Sequence, residues 1–394
     1  MPRKRRQRRS PPVLSQPVDP HIAAHSDVLG QRLAERVRAI GGPHRPVEPR
    51  SGEFVLYWMR TAARAEDNPA LDAALRMADA LAVPALVYHA LSERYPYAND
   101  RHHTFILEGA RDVAAGLRER GIAYAFHLDR PGHRGPHLVE LAGRAALLIT
   151  EDMPVQPLRG WTEAVAARVD TPVWCVDTAC IVPMRLSPAA FDRAFEFRRW
   201  ALPLWRDRLG RPPSAPPPSG PSSPPAPTTL PALPFAAIDL ATADLPALVA
   251  SCAIDHTVAP VPDSRGGSRA GYQRWAAFAA ERLRSYHRRR NDPNADGVSR
   301  MSAYLHYGHV SPQRLADEAA QRGGPGADKY LDELLVWREL AYHYCFHQPD
   351  HERVDALPHW AVSGMEARRS DPRPALLSWE SLARGRTGDP LWDA

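Results

Sequence analysis

Between Tyr286 and Gly308 the chain reads YHRRRNDPNADGVSRMSAYLHYG. Three arginines close one helical stretch, a turn rich in Asn, Asp and Pro follows, and Ser299 and Ser302 stand where the next helix should begin. Serine hydroxyls beside the unpaired N–H groups of a helix start make an anion site. Arginines just upstream can add charge-assisted bonds to phosphate. The same residues also make an ordinary N-cap behind a solvated arginine face, so both readings stand on physics alone.

The second chemical segment is LDELLVWRELAYHYCF, residues 331–346. At 100° per residue, Leu331, Leu334, Leu335, Ala341 and Cys345 share one side, and Trp337, Leu340 and Tyr344 another. A helix this apolar around its circumference is mostly buried. Glu339 falls between the stripes, where its carboxylate either pairs with an arginine such as Arg338 or faces a pocket. In a pocket, burial would raise its pKa and let it donate a proton. His343 and His347 have helical metal-ligand spacing, but no third ligand accompanies them, and no metal is expected. His102-His103 is uninformative alone, and no Gly-x-Ser-x-Gly elbow or Cys/His arrangement points to hydrolysis.

The elements that must position these residues follow from periodicity. Strands are expected at Phe54–Trp58, Ala85–Tyr88, Ala123–Phe126, Ala146–Ile149 and Val173–Val176, alternating with helices. That alternation predicts a parallel sheet covered on both faces, a Rossmann-like α/β domain over 51–184. It lacks GxGxxG and GxxxxGK[ST], so no nucleotide is named by it. Before it, residues 1–50 read as a basic arm, PRKRRQRRS, and then one helix over DVLGQRLAERVRAIGG. Residues 185–266 form a connection containing a proline/serine tract that cannot pack a core. Residues 267–394 read as an all-α domain.

Composition bounds the rest. Apolar content of 44% and charged content of 24% are globular values. The net charge of +5 permits a polyanionic partner without requiring one. Lys4 and Lys329 are the only lysines, so the positive charge is almost all arginine, which suits phosphate forks. Four scattered cysteines without a CxxC pair read as reduced thiols in a cytoplasmic protein. No apolar run approaches the roughly 20 residues of a membrane span. A monomer is expected.

Five segments, VLYWMR, ARAEDNPAL, YHRRRNDPNADGVSRMSAYLHYGHVSP, LDELLVWRELAYHYCFHQP and TGDPLW, resemble class II cyclobutane-pyrimidine-dimer photolyases in order and approximate spacing. The resemblance implies an α/β antenna domain, which in some relatives holds a second chromophore, followed by an all-α FAD-binding domain. It implies FAD held by Tyr286, Val298, Ser299, Arg300, Met301, Ser302 and Leu305. It implies UV-damaged DNA as partner, with Arg290 and Asn291 near the lesion and its backbone. Glu339 would hydrogen-bond the flipped-out dimer, Trp337 would pack beside flavin and lesion, and Trp392 would belong to the tryptophan chain that photoreduces the flavin. The family pattern continues past DPLW, so the helical domain is expected to be incomplete here. Asp393 stands where asparagine is usual, and Arg300 where a small residue is common. A light-sensing relative without repair, or an inactive remnant, remain the alternatives.

Overall fold

A computed structural model describes residues 18–41, 47–48, 52–213, 231–373 and 375–394. The expected basic arm and most of the proline tract lie outside the described residues. Six strands form one sheet: β1 Val37–Ile40, β2 Val55–Met59, β3 Ala85–Ser92, β4 Ala123–Asp129, β5 Leu147–Glu151 and β6 Val173–Val176. Their order is β1-β6-β5-β2-β3-β4, with only the β1 pairing antiparallel. β2, β5 and β6 are buried at every residue, because helices cover both faces.

The helix expected across 27–42 does not form. Short helices α1 Pro20–Ala23, α2 Ser26–Leu29 and α3 Gln31–Ala34 precede the edge strand β1 instead. Gly30, at φ 76°, breaks the helical path. The segment Val37–Ile40 then pairs with β6, Val37 opposite Val176. The apolar spacing that suggested one helix serves a helix and a strand in succession.

The crossovers are α4 Pro69–Leu81, α5 Asp100–Glu119, α6 His137–Arg144 and α7 Leu158–Ala166. Asn68 caps α4 by accepting from the N–H groups of Ala70 and Leu71. After β6 a buried loop, 177–187, leads to α8 Ala194–Arg208 and then α9 Leu245–Ala250. The helical part follows with α10 Ser268–Glu281, α11 Tyr286–Arg289, α12 Ser302–His306, α13 Pro312–Arg322, α14 Gly324–Leu331, a π-helical turn Asp332–Trp337, and α15 Arg338–His347. Its core is aromatic: Phe197, Trp205, Trp275, Phe278, Tyr286, Tyr304 and Tyr330 pack together.

The chain divides into two compact units, Met1–His347 and Gln348–Ala394. The second holds α16 His359–Ala367 and α17 Trp379–Ala383. It ends in a turn where Asp393 accepts from the N–H groups of Thr387 and Gly388. Among the described residues no helix is long and apolar enough to cross a membrane.

Candidate functional site

The Tyr286–Gly308 segment folds as a wall with an open helix start. Tyr286 is buried against Phe278 and Tyr330, ring centroids 5.8 and 5.6 Å away. α14 can approach this wall because Gly326 has no side chain; a Cβ there would meet the Leu283 carbonyl oxygen at 1.9 Å. Asp296 and Arg300 hold left-handed backbones, φ 39° and 54°, and their side chains pair at 2.9 Å. Non-glycine residues in that region store strain of order 1–3 kcal/mol, and such sites cluster where ligands bind.

α12 begins at Ser302 without a side-chain cap. The backbone N–H groups of its first turn are therefore left to solvent or a ligand. Met301 is buried beneath them, whereas Val298 is 40% exposed and Ser302 is exposed. The Ser299 and Tyr330 hydroxyls hydrogen-bond each other. Leu305 is half-buried, and Asn291 and Arg300 face solvent.

The π-turn rearranges the second segment. The Arg338 N–H reaches back five residues to the Glu333 carbonyl, which marks the extra residue in the turn. Glu333 and Trp337, four apart, share one face of this widened turn. Trp337 is 54% exposed, unusual for an indole flanked by the buried Leu334, Leu335 and Val336. The Glu333 Oε1 lies 2.8 Å from Arg290 Nη2 and 2.6 Å from Lys329 Nζ. That oxygen is shielded from solvent, yet no donor is aligned to hydrogen-bond it. It is an acceptor held at ion-pair distance between two cations.

Glu339 lies elsewhere. It is 1% exposed, and its carboxylate accepts from the Ile181 N–H at 2.6 Å, the Trp205 indole at 2.9 Å and, more weakly, the Val182 N–H at 3.5 Å. Burial pushes its carboxyl up to about 7 against the opposing pull of these donors and of Arg338. Neither expected environment is found. Arg338 instead donates to the Ala179 carbonyl and lies over the Tyr342 ring, and the carboxylate is buried among its donors. Glu339 joins α15 and α8 to the 177–187 loop, so the sequence assignment of a ligand-facing role meets a filled site.

The two spaced histidines serve the same junction. His343 Nε2 bonds the Val182 carbonyl and His347 Nε2 bonds the Ser187 hydroxyl. Among the described residues no group of three or more His, Cys, Asp or Glu could hold a metal. A cavity of about 630 Å³ opens elsewhere, between the N-terminal end of α4 and α13. Its buried Arg36 and Arg64 donate to backbone carbonyls, among them Cys180, Ile181 and Gly308.

Comparison with known proteins decides the family. The chain is 30% identical over 365 residues to the deoxyribodipyrimidine photo-lyase of Methanothermobacter thermautotrophicus, covering 92% of this chain and 76% of that protein. It is 30% identical over 377 residues to the enzyme of the same name in Oryza sativa subsp. japonica, 91% and 70% covered. The DNA photolyase family pattern matches residues 55–198. The chain belongs to the photolyase family.

Solved photolyase structures share its fold. A class III photolyase from Agrobacterium tumefaciens superposes with a TM-score of 0.57 at 17% identity, covering 87% of this chain and 68% of that one. A cryptochrome from Synechocystis sp. PCC6803 gives 0.56 at 16%, covering 86% and 69%. This photolyase chain thus joins an α/β lobe to a helical lobe, as its alternating strands and later helices predicted. The uncapped start of α12, the free face of Ser302, and the apolar floor of Met301 and Leu305 fit a phosphate-bearing planar cofactor. Trp392 belongs to the second unit, where its indole donates to the Leu382 carbonyl and the ring is 61% exposed.

The residue that sequence reasoning missed is Glu333. The signal was present as two acids, Asp332 and Glu333, ahead of an apolar run. A helical wheel cannot assign them correctly across a π-turn, because the extra residue rotates everything after it by about 100°.

Proposed function

We propose that this chain is a class II cyclobutane-pyrimidine-dimer photolyase that binds FAD and UV-damaged DNA on the wall formed by α11, α12 and the π-turn. The observation that carries this is the exposed Trp337 with the Glu333 carboxylate four residues before it on the π-turn, ion-paired to Arg290. When bound, reduced FAD supplies the light-driven electron that splits the dimer.

The chain's own residues do the positioning. Ser299, Ser302 and the first N–H groups of α12 take the cofactor's phosphates, with Arg300 at the rim. Tyr286, Val298, Met301 and Leu305 make the apolar surface beneath. Trp337 stacks against bases taken out of the duplex, a step costing a few kcal/mol that is least for a damaged pair. Glu333, in place of Glu339, is the carboxylate that meets the lesion. Arg290 and Asn291 meet the DNA backbone, where contact fixes register without reading sequence. Trp392 is assigned to the chain of tryptophans that reduces the flavin under light. The cavity beside α4 offers about 630 Å³ to a second chromophore, against a charged lining without aromatic rings.

Illuminating the flavin-loaded protein with an oligonucleotide containing one thymine dimer tests this reading. Light-dependent loss of the dimer is expected; bound flavin without repair would make the protein a photosensor instead. Trp337→Ala is expected to weaken binding to the dimer-containing strand by about tenfold, the scale of one lost stacking contact. Competition against the undamaged strand checks this, because affinity for that strand should stay nearly constant.

A further inference from the structure

An unbroken chain of charge crosses the π-turn. Arg198 of α8 pairs with Asp332, Asp332 with Lys329 at 2.8 Å, Lys329 with Glu333 at 2.6 Å, and Glu333 with Arg290 at 2.8 Å. Three cations face two carboxylates, so one positive charge is in excess. Arg290 is the terminal member and also lies 6.0 Å from the Tyr286 ring centroid. Its side chain is 26% exposed, reachable from solvent yet covering the Glu333 oxygen.

These facts conflict with a simple static role for either residue. The Glu333 Oε1 cannot meet a ligand while Arg290 and Lys329 sit against it. The Arg290 Nη2 that faces Glu333 is not free to bond a phosphate while it stays there. Were Arg290 its one partner, removing it would leave a poorly solvated carboxylate unpaired, an unfavourable state. Lys329 resolves this, because it already touches the same oxygen and stays on α14 when Arg290 departs.

We propose that Arg290 alternates between Glu333 and a DNA phosphate, with Lys329 as the standby counter-ion that makes the exchange possible. In the free protein the Arg290–Glu333 contact closes the site. An arriving phosphate takes Arg290, uncovers Glu333, and leaves its charge balanced by Lys329. Lys329 is thus a positioning residue that acts through Arg290 and Glu333. The inference rests on the reading of Arg290 as a backbone contact and Glu333 as the lesion-facing carboxylate.

Binding measurements test it without any need for repair. Affinity for a dimer-containing duplex is measured by fluorescence anisotropy over a salt series for the unaltered chain, Arg290→Met, Lys329→Met, Lys329→Arg and the double variant Arg290→Met/Lys329→Met. Lys329→Met should weaken binding, since Glu333 then retains Arg290 as its remaining cation. Arg290→Met should weaken the unaltered chain and lower its salt slope by about one. In the Lys329→Met background it should cost much less, a coupling of about tenfold. Lys329→Arg should restore both affinity and slope.

Equal Arg290→Met effects in the two backgrounds would overturn the exchange while leaving the phosphate contact intact. No effect of Arg290→Met on affinity or slope would instead remove the reading beneath it. If Lys329→Met fails to fold, Lys329→Arg still decides: a folded arginine variant that binds weakly contradicts the counter-ion role.

Discussion

Glu339→Ala is expected to cost about 3 kcal/mol of stability, because two buried donors lose their acceptor and each unpaired group costs roughly 1–3 kcal/mol. The donors are the Ile181 N–H and the Trp205 indole, both bonded at under 3 Å now. The void left in a packed junction adds to the loss. Thermal melting should show a fall of several degrees. Glu339→Gln should cost less, since its amide oxygen still accepts one of the two bonds. The matching change at Glu333, a half-buried side chain in salt-screened pairs, should move stability by less than about 1 kcal/mol. Equal losses for Glu333→Ala and Glu339→Ala would contradict this division between site and scaffold.

Mild acid should destabilise the protein sharply. Burial lowers several histidines, four of them far: His89 and His103 to about 4, and His309 and His343 to about 3. Unfolded, each titrates near 6.5 and binds a proton that the folded form refuses. Stability therefore falls as pH drops from about 6.5 towards 3–4, since the unfolded state binds more protons across that window. Glu339 acts in the opposite sense. Its folded carboxyl is raised to about 7, so its contribution is fully present below about 4.5 and is lost as pH rises through 7. One shift of this size is about 3 kcal/mol, and four histidines outweigh one glutamate. Urea midpoints from pH 8 to pH 4.5 should fall steadily below pH 6.5. A midpoint that rises as the pH is lowered would show that these histidines are not buried in the neutral form.

The sheet was legible because its strands announce themselves as short buried runs: Val55–Met59 and Leu147–Glu151 have no polar alternation to confuse them. Val37–Ile40 was not. A strand at the antiparallel edge takes its identity from pairing with β6, which no local window records. The burial of Tyr286 and Met301 followed the motif, but the serine cap expected at the next helix did not form, since α12 starts behind Met301 with no side-chain cap. The lesion-facing role of Glu339 came from the family resemblance, whereas its burial among the Ile181 and Trp205 donors depends on helical phase. A single inserted residue in the π-turn shifts the helical phase, and only tertiary packing against Trp205 and the 177–187 loop decides where it goes. The buried arginines escaped notice as well. Arg36 and Arg64 look like surface charges in sequence, and carbonyl partners such as Cys180 and Gly308 lie more than a hundred residues away.

The most direct test compares repair by Glu333→Gln and Glu339→Gln at matched flavin content and matched lesion binding. Light-dependent loss of thymine dimers should fall at least about tenfold in Glu333→Gln, the effect of removing a group that acts on developing charge. It should persist in folded Glu339→Gln. Undiminished repair by Glu333→Gln, with repair abolished in folded and flavin-loaded Glu339→Gln, would contradict the account.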